Sequence, residues 1–191
     1  MTGSWLDLKA LTVQKGEICF PQRLGDAQCC LTGGSSGGAL YLCGYAVEMA
    51  LKLAAFRLTS CRSDDLVKAL VDAVKSKAQP PGRRWRRLVR LGRWSLGTQD
   101  NRALPATPFT AKFASGHSLV FWEEYYRVVR RGSALDPVLD TTLATNVSWL
   151  SSVWAVEMRY SDLAGITPAT ANDALERAKW FVSAYNDLKR R

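Results

Sequence analysis

His117 is the single histidine among 191 residues, so any imidazole chemistry in this chain runs through it. Histidine changes charge near neutral pH and suits acid–base work on a proton-bearing substrate. In that role Arg159 or Lys52 has to supply the contact to a phosphate. The plainer reading has His117 capping or bracing the start of a helix. Glu48 and Lys52 interrupt the most apolar run of the chain, Gly38 to Leu58. Their i,i+4 spacing puts them one turn apart on one helix face. Buried charges survive mainly when paired, which predicts a structural ion pair, reaching Arg159 from a neighbouring helix. The functional alternative is a polar cleft of Glu48, Lys52, Arg159 and Tyr160 that holds phosphate or nucleotide. His117, Arg159 and Tyr160 are the residues nominated for catalysis.

A second chemistry lies in Arg83, Arg84, Trp85, Arg86, Arg87, Arg90, Arg93 and Trp94. Six arginines fall within eleven positions of a chain whose net charge is +9, so the basicity is a local device. If this segment is helical, Trp85, Leu88 and Val89 fall together, with Arg83, Arg87 and Arg90 across from them. Arginine grips phosphate bidentately and tryptophan stacks on an exposed base, which makes nucleic acid the first reading. An anionic membrane surface and an acidic protein partner are rivals. The bland reading is a solvated face that docks its tryptophans on the rest of the fold.

Other patterns carry less. The turn Gly33-Gly34-Ser35-Ser36-Gly37-Gly38 contains G-x-S-x-G twice, but a helix and not a strand precedes it. It also lacks the G-K-[ST] ending of a phosphate-binding loop. Cys19, Cys29, Cys30, Cys43 and Cys61 form no C-x-x-C pair and no metal-ligand spacing, so free thiols in a reducing cytosol are expected, with no metal and no cofactor.

The elements that must position these groups read as helices. The run from Gly38 to Leu58 is too long for a strand and apolar nearly all round, the pattern of a helix enclosed by other helices. Pro21 suits the first position of a preceding helix that runs to about Leu31 and is stopped by Gly33 and Gly34. Ser35 or Ser36 is placed to cap the organising helix. Ser63 before Asp64 and Asp65 predicts a third helix start, with Leu66, Ala69, Leu70, Ala73 and Val74 inward. Helical order returns from His117 to Arg131, with Val120, Phe121, Tyr125, Val128 and Val129 as its apolar face. Asp136-Pro137 opens the next helix, with Leu139, Leu143 and Val147 inward, and Trp149 and Trp154 are placed in a short segment after it. Thr167-Pro168 starts a terminal helix whose Ala171, Ala174, Leu175, Ala178, Phe181, Val182, Tyr185 and Leu188 keep the 3.6 period.

An apolar share of 47% is ample for a core. The length suits one domain, 1–191, with an inserted arginine-rich, loop-rich segment at about 80–116. Asp7 and Lys9 fall where a signal peptide needs apolar residues, and Glu48 and Lys52 break the longest apolar run. A cytoplasmic protein with no transmembrane segment is the expectation.

Two segments taken together resemble a known family. Arg23-Leu24-Gly25-Asp26-Ala27-Gln28 followed by Ala39-Leu40-Tyr41-Leu42-Cys43-Gly44-Tyr45-Ala46-Val47-Glu48-Met49-Ala50-Leu51-Lys52 resembles the first two helices of HEPN-domain proteins. Val156-Glu157-Met158-Arg159-Tyr160-Ser161 before an Ala-rich helix resembles that family's R-Y segment and last helix. His117-Ser118-Leu119 resembles its H-D-L element, with serine in place of aspartate. The match spans roughly 21–58 and 115–190. It implies an all-α, up-and-down helical bundle that dimerises through its helices. Many members are metal-independent ribonucleases of toxin–antitoxin, CRISPR-linked or phage-defence systems, and some are encoded beside a small nucleotidyltransferase. The nuclease members carry R-x(4–6)-H. Here no arginine stands five to seven residues before His117, Lys112 is the nearest cation, and no histidine follows Arg159-Tyr160.

Two functions are therefore expected in competition. One is a homodimeric module that binds RNA or another polyphosphate, with an antitoxin or nucleotidyltransferase as partner. The other is a divergent ribonuclease that uses His117 with Arg159 or Lys112. A structural subunit without nucleic-acid affinity is the third class.

Overall fold

The structure, a computed structural model, describes residues 11–59, 61–78, 117–130, 135–156, 158, 163 and 165–190. Among the described residues six helices form: α1 (Val13–Thr32), α2 (Ser36–Leu58), α3 (Val67–Ala78), α4 (Leu119–Val129), α5 (Pro137–Val153) and α6 (Pro168–Leu188). No strand appears among those residues. A single antiparallel bridge pairs Thr12 with Leu66 and ties the entry to α1 to the entry to α3. The fold is all-α.

Helix α2 lies at the centre, packed against α1, α6 and α4, while α1 also meets α6 and α4 meets α5. Leu40, Leu51, Leu53, Phe56 and Leu58 on α2 are fully enclosed. Each contributes about 1.5–3 kcal/mol by leaving water. Together they outweigh the several kcal/mol that each ion of a buried charge pair costs to desolvate, so α2 can carry Glu48 and Lys52 inside. By length and apolarity α2 also passes as a bilayer-crossing helix, and 83% of its most apolar window is buried within the protein.

Close approaches set the packing around this helix. A Cβ at Gly44 would fall on the Trp154 ring. The Trp154 indole N–H donates to the Tyr41 carbonyl at 3.1 Å. Gly34, at φ 81°, makes the left-handed turn that reverses the chain between α1 and α2.

Several boundaries differ from those read in the sequence, each for a physical reason. Helix α1 starts at Val13 and not at Pro21, because Thr12 caps it (Lys15 N–H to Thr12 Oγ1, 3.3 Å) and the inward stripe Val13, Gly16, Phe20, Leu24, Ala27 runs through the proline. Helix α3 starts at Val67, since Ser63 Oγ is taken by the Arg57 guanidinium and Asp65 folds back on the Arg62 N–H. Ser35 occupies the N-cap position of α2 without a side-chain cap bond. Helix α4 begins at Leu119, with Ser118 Oγ accepting from the Phe121 N–H. Helix α5 continues through Trp149 to Val153, leaving Trp154 at its end. The capped starts of α5 at Asp136 and of α6 at Thr167 agree with the sequence reading.

Candidate functional site

Glu48 and Lys52 occupy one face of α2, at the contact with the start of α4. Their side chains are 1% and 6% exposed, and the Lys52 ammonium donates to Glu48 Oε1. The ion pair read from the i,i+4 spacing is therefore present and buried. Lys52 Nζ also lies 5.1 Å from the centre of the Trp122 ring, where the face of the indole attracts a cation. Trp122 is itself fully enclosed, meeting Phe56, Phe121 and Tyr125 edge to face.

His117 completes the group from just before α4. Its Nδ1 lies 3.2 Å from each carboxylate oxygen of Glu48 across 69 residues of sequence. The imidazole is 44% exposed, so one edge rests on the buried pair while the rest reaches solvent. A cation, a carboxylate and the chain's one imidazole thus converge at a half-open position. Such a set can orient a ring for proton transfer, and it can equally brace the first turn of α4.

The sequence reading nominated these three residues but did not join them: it left His117 without a carboxylate and sent the Glu48–Lys52 pair toward Arg159. Lys112, Arg159 and Tyr160 lie outside the described residues, as do Arg83, Arg84, Trp85, Arg86, Arg87, Arg90 and Arg93. Trp122 was missed, although a tryptophan beside Phe121 on a helix of about three turns with an apolar face was a visible signal for a core anchor.

A second charged cluster, also missed, joins three helices. The Arg57 guanidinium donates to both oxygens of Glu17, Nε to Oε1 at 3.0 Å and Nη2 to Oε2 at 2.5 Å. The Tyr185 hydroxyl adds a bond to Oε1 at 2.8 Å. Burial works to raise the Glu17 carboxyl, but the bonds from Arg57 and Tyr185 and the charges of Arg57 and Lys189 hold it below the usual range. Every partner here is satisfied within the fold, so the cluster acts as a clamp. Elsewhere, an open groove of about 500 Å³ runs between α5 and α6 along Val138, Trp180 and Arg190, and none of Glu48, Lys52 and His117 lines it. Burial pushes the Cys43 thiol up to about 12, which leaves it an inert core residue at neutral pH.

Comparison with protein-family models, with curated proteins and with solved structures gives no match.

Proposed function

We propose that this chain is a HEPN-like helical bundle, cytoplasmic and homodimeric, that binds RNA or another polyphosphate through the arginines of 83–93. In this reading it works beside an antitoxin or small nucleotidyltransferase in a toxin–antitoxin or phage-defence pair. The observation that supports it is the setting of the Ala39–Lys52 stretch. That stretch, the most specific part of the resemblance, is the enclosed centre of an all-α fold, with His117 of the His117-Ser118-Leu119 element seated against it. The test is binding of labelled RNA. Salt-sensitive binding that is lost when Arg83, Arg84, Arg86 and Arg87 become glutamate supports the reading. Affinity untouched by those changes sinks it, and stable co-purification with a protein partner and no RNA affinity would point to a structural subunit.

The contact between His117 and Glu48 favours a second reading, a divergent metal-independent ribonuclease. His117 would take the proton of a ribose 2′-hydroxyl as that oxygen bonds to the adjacent phosphorus. The bond from phosphorus to the 5′-oxygen then breaks, and the departing oxygen takes a proton from water. The products are a 2′,3′-cyclic phosphate and a 5′-hydroxyl. A cation on the scissile phosphate falls to Arg159 or Lys112. Cleavage of RNA in the presence of a chelator, lost in His117→Ala, supports this reading; intact RNA removes it.

A further inference from the structure

We infer that Glu48, paired with Lys52, is a positioning residue that fixes His117 as the tautomer protonated on Nδ1, leaving Nε2 as the proton acceptor. The argument is one of donors and acceptors. A lysine ammonium has donors only, and an ionised carboxylate has acceptors only. With Lys52 bonded to Oε1, Glu48 has no hydrogen of its own to place between itself and the ring. His117 Nδ1 sits at equal distance, 3.2 Å, from both carboxylate oxygens. A bare nitrogen there would face two lone-pair-bearing oxygens across a half-buried gap, whereas an N–H makes a charge-assisted bond to both. The proton therefore belongs on Nδ1, and a neutral imidazole then carries its lone pair on Nε2.

The two carboxylate oxygens are nearly all interior, while the ring is 44% exposed. The anchored edge thus faces an interior carboxylate, and a ring exposed to this extent has room for solvent or substrate beside it. Lys52 contributes by staying in place: the stem is enclosed and the ammonium is held between Glu48 and the Trp122 face. Without it the carboxylate would be a lone buried charge, costly to keep in the acceptor-only form that holds the Nδ1 proton. The role in catalysis rests on the ribonuclease reading above; the tautomer does not.

The chain's single histidine makes the test direct. Tag-free protein labelled with ¹⁵N gives one imidazole, and its two ring nitrogens report which of them carries the proton. The neutral ring is expected with its proton on Nδ1, and a proton on Nε2 overturns the inference. Glu48→Leu alone strands the Lys52 charge and can prevent folding, so the paired variant Glu48→Leu with Lys52→Met, which offers Nδ1 neither acceptor nor donor, carries the second arm, its fold checked by circular dichroism. An unaltered tautomer in that variant also overturns the inference; a shift toward Nε2–H supports it. Where the wild type cleaves RNA, the paired variant is expected to lose on the order of 10²- to 10⁴-fold in kcat, the worth of a placed general base, with RNA affinity retained. Equal cleavage by the two proteins refutes the positioning role. Intact RNA together with the Nδ1–H form would remove the ribonuclease reading alone, and cleavage with the Nε2–H form would remove the positioning role alone.

Discussion

Tyr185 and Glu17 stand 168 residues apart in sequence and share a 2.8 Å hydrogen bond, the phenol donating to a carboxylate that also holds Arg57. One carboxylate thus joins α1, α2 and α6, the three helices that enclose most of the core. Its protonation weakens the join. The carboxyl is held below its ordinary value near 4.5, so the folded state gives up its proton more readily than the unfolded chain. The stabilisation is therefore complete above about pH 4.5 and drains away as pH falls through the lower folded value. Glu17→Gln is expected to cost roughly 1–3 kcal/mol near neutral pH, the worth of hydrogen bonds to a charged group. Urea unfolding of the two proteins should converge toward acid pH; a constant gap down to low pH would show that Glu17 is not the acid-sensitive group.

The tyrosines set the alkaline limit. Burial raises Tyr185 and Tyr125 well above 10 and pushes Tyr126 up to about 12, while Arg130 draws Tyr126 part of the way back. Above about pH 10 the unfolded chain loses these protons first, so unfolding releases protons and stability falls as pH rises. Tyr126→Phe removes one titrating group and the bond from its hydroxyl to the Leu188 carbonyl. It should cost about 0.5–1.5 kcal/mol near neutral pH and make the alkaline decline of Tm shallower. An alkaline decline as steep as the wild type's would rule out Tyr126 as a contributor.

Helix α6 was readable in the sequence because its core contacts all follow from one periodicity, and Thr167 with Pro168 marks its start. Helix α1 was readable only from Pro21 onward, since a proline is more often a helix start than an interior residue costing ~3 kcal/mol. The inward stripe from Val13 to Ala27 absorbs that cost, and only packing against α2 and α6 makes it evident. The Glu48–Lys52 pair was legible because four residues on one helix fix a distance. The approach of His117 to Glu48 was not, because no local rule relates two helices whose contact is set by how Trp122 and Phe56 fill the space between them.

Gly44 is the narrowest point in that packing. A methyl group there meets the Trp154 indole, whose N–H is already committed to the Tyr41 carbonyl on the same helix. Gly44→Ala gains about 1 kcal/mol of helix propensity. Displacing an enclosed tryptophan costs more, typically 1–3 kcal/mol for overpacking, with the indole hydrogen bond lost as well. A net loss of stability is expected in chemical denaturation. A more stable Gly44→Ala protein would mean that Trp154 swings away at no cost.

Lys52 separates the cost of breaking a pair from the cost of deleting it. Lys52→Met leaves Glu48 charged at 1% exposure, with the His117 ring as its remaining side-chain partner among the described residues. A stranded charge of this kind costs about 3–5 kcal/mol. Changing both, Lys52→Met with Glu48→Gln, removes two desolvated ions and should recover most of that loss. Equilibrium unfolding at neutral pH reads both values. If the single and paired variants lose equally, the pair is not coupled and the charge on Glu48 is reached by water.

The arginine-rich segment lies outside the described residues, so its prediction rests on charge alone and is read by salt. On single-stranded RNA each neutralised phosphate contributes about 0.7 to the slope of log affinity against log salt. Replacing Arg83, Arg84, Arg86 and Arg87 by glutamine should lower that slope by up to roughly 3 if all four engage phosphates. Trp85→Ala should behave differently, weakening binding by about 1–3 kcal/mol through lost base stacking while leaving the slope nearly intact. The two responses must separate for the proposed interface to hold. If Trp85→Ala lowers the slope as much as the arginine changes do, it perturbs the whole segment and does not stack on a base. If the fourfold glutamine variant keeps the wild-type slope, the phosphates are met elsewhere on the protein.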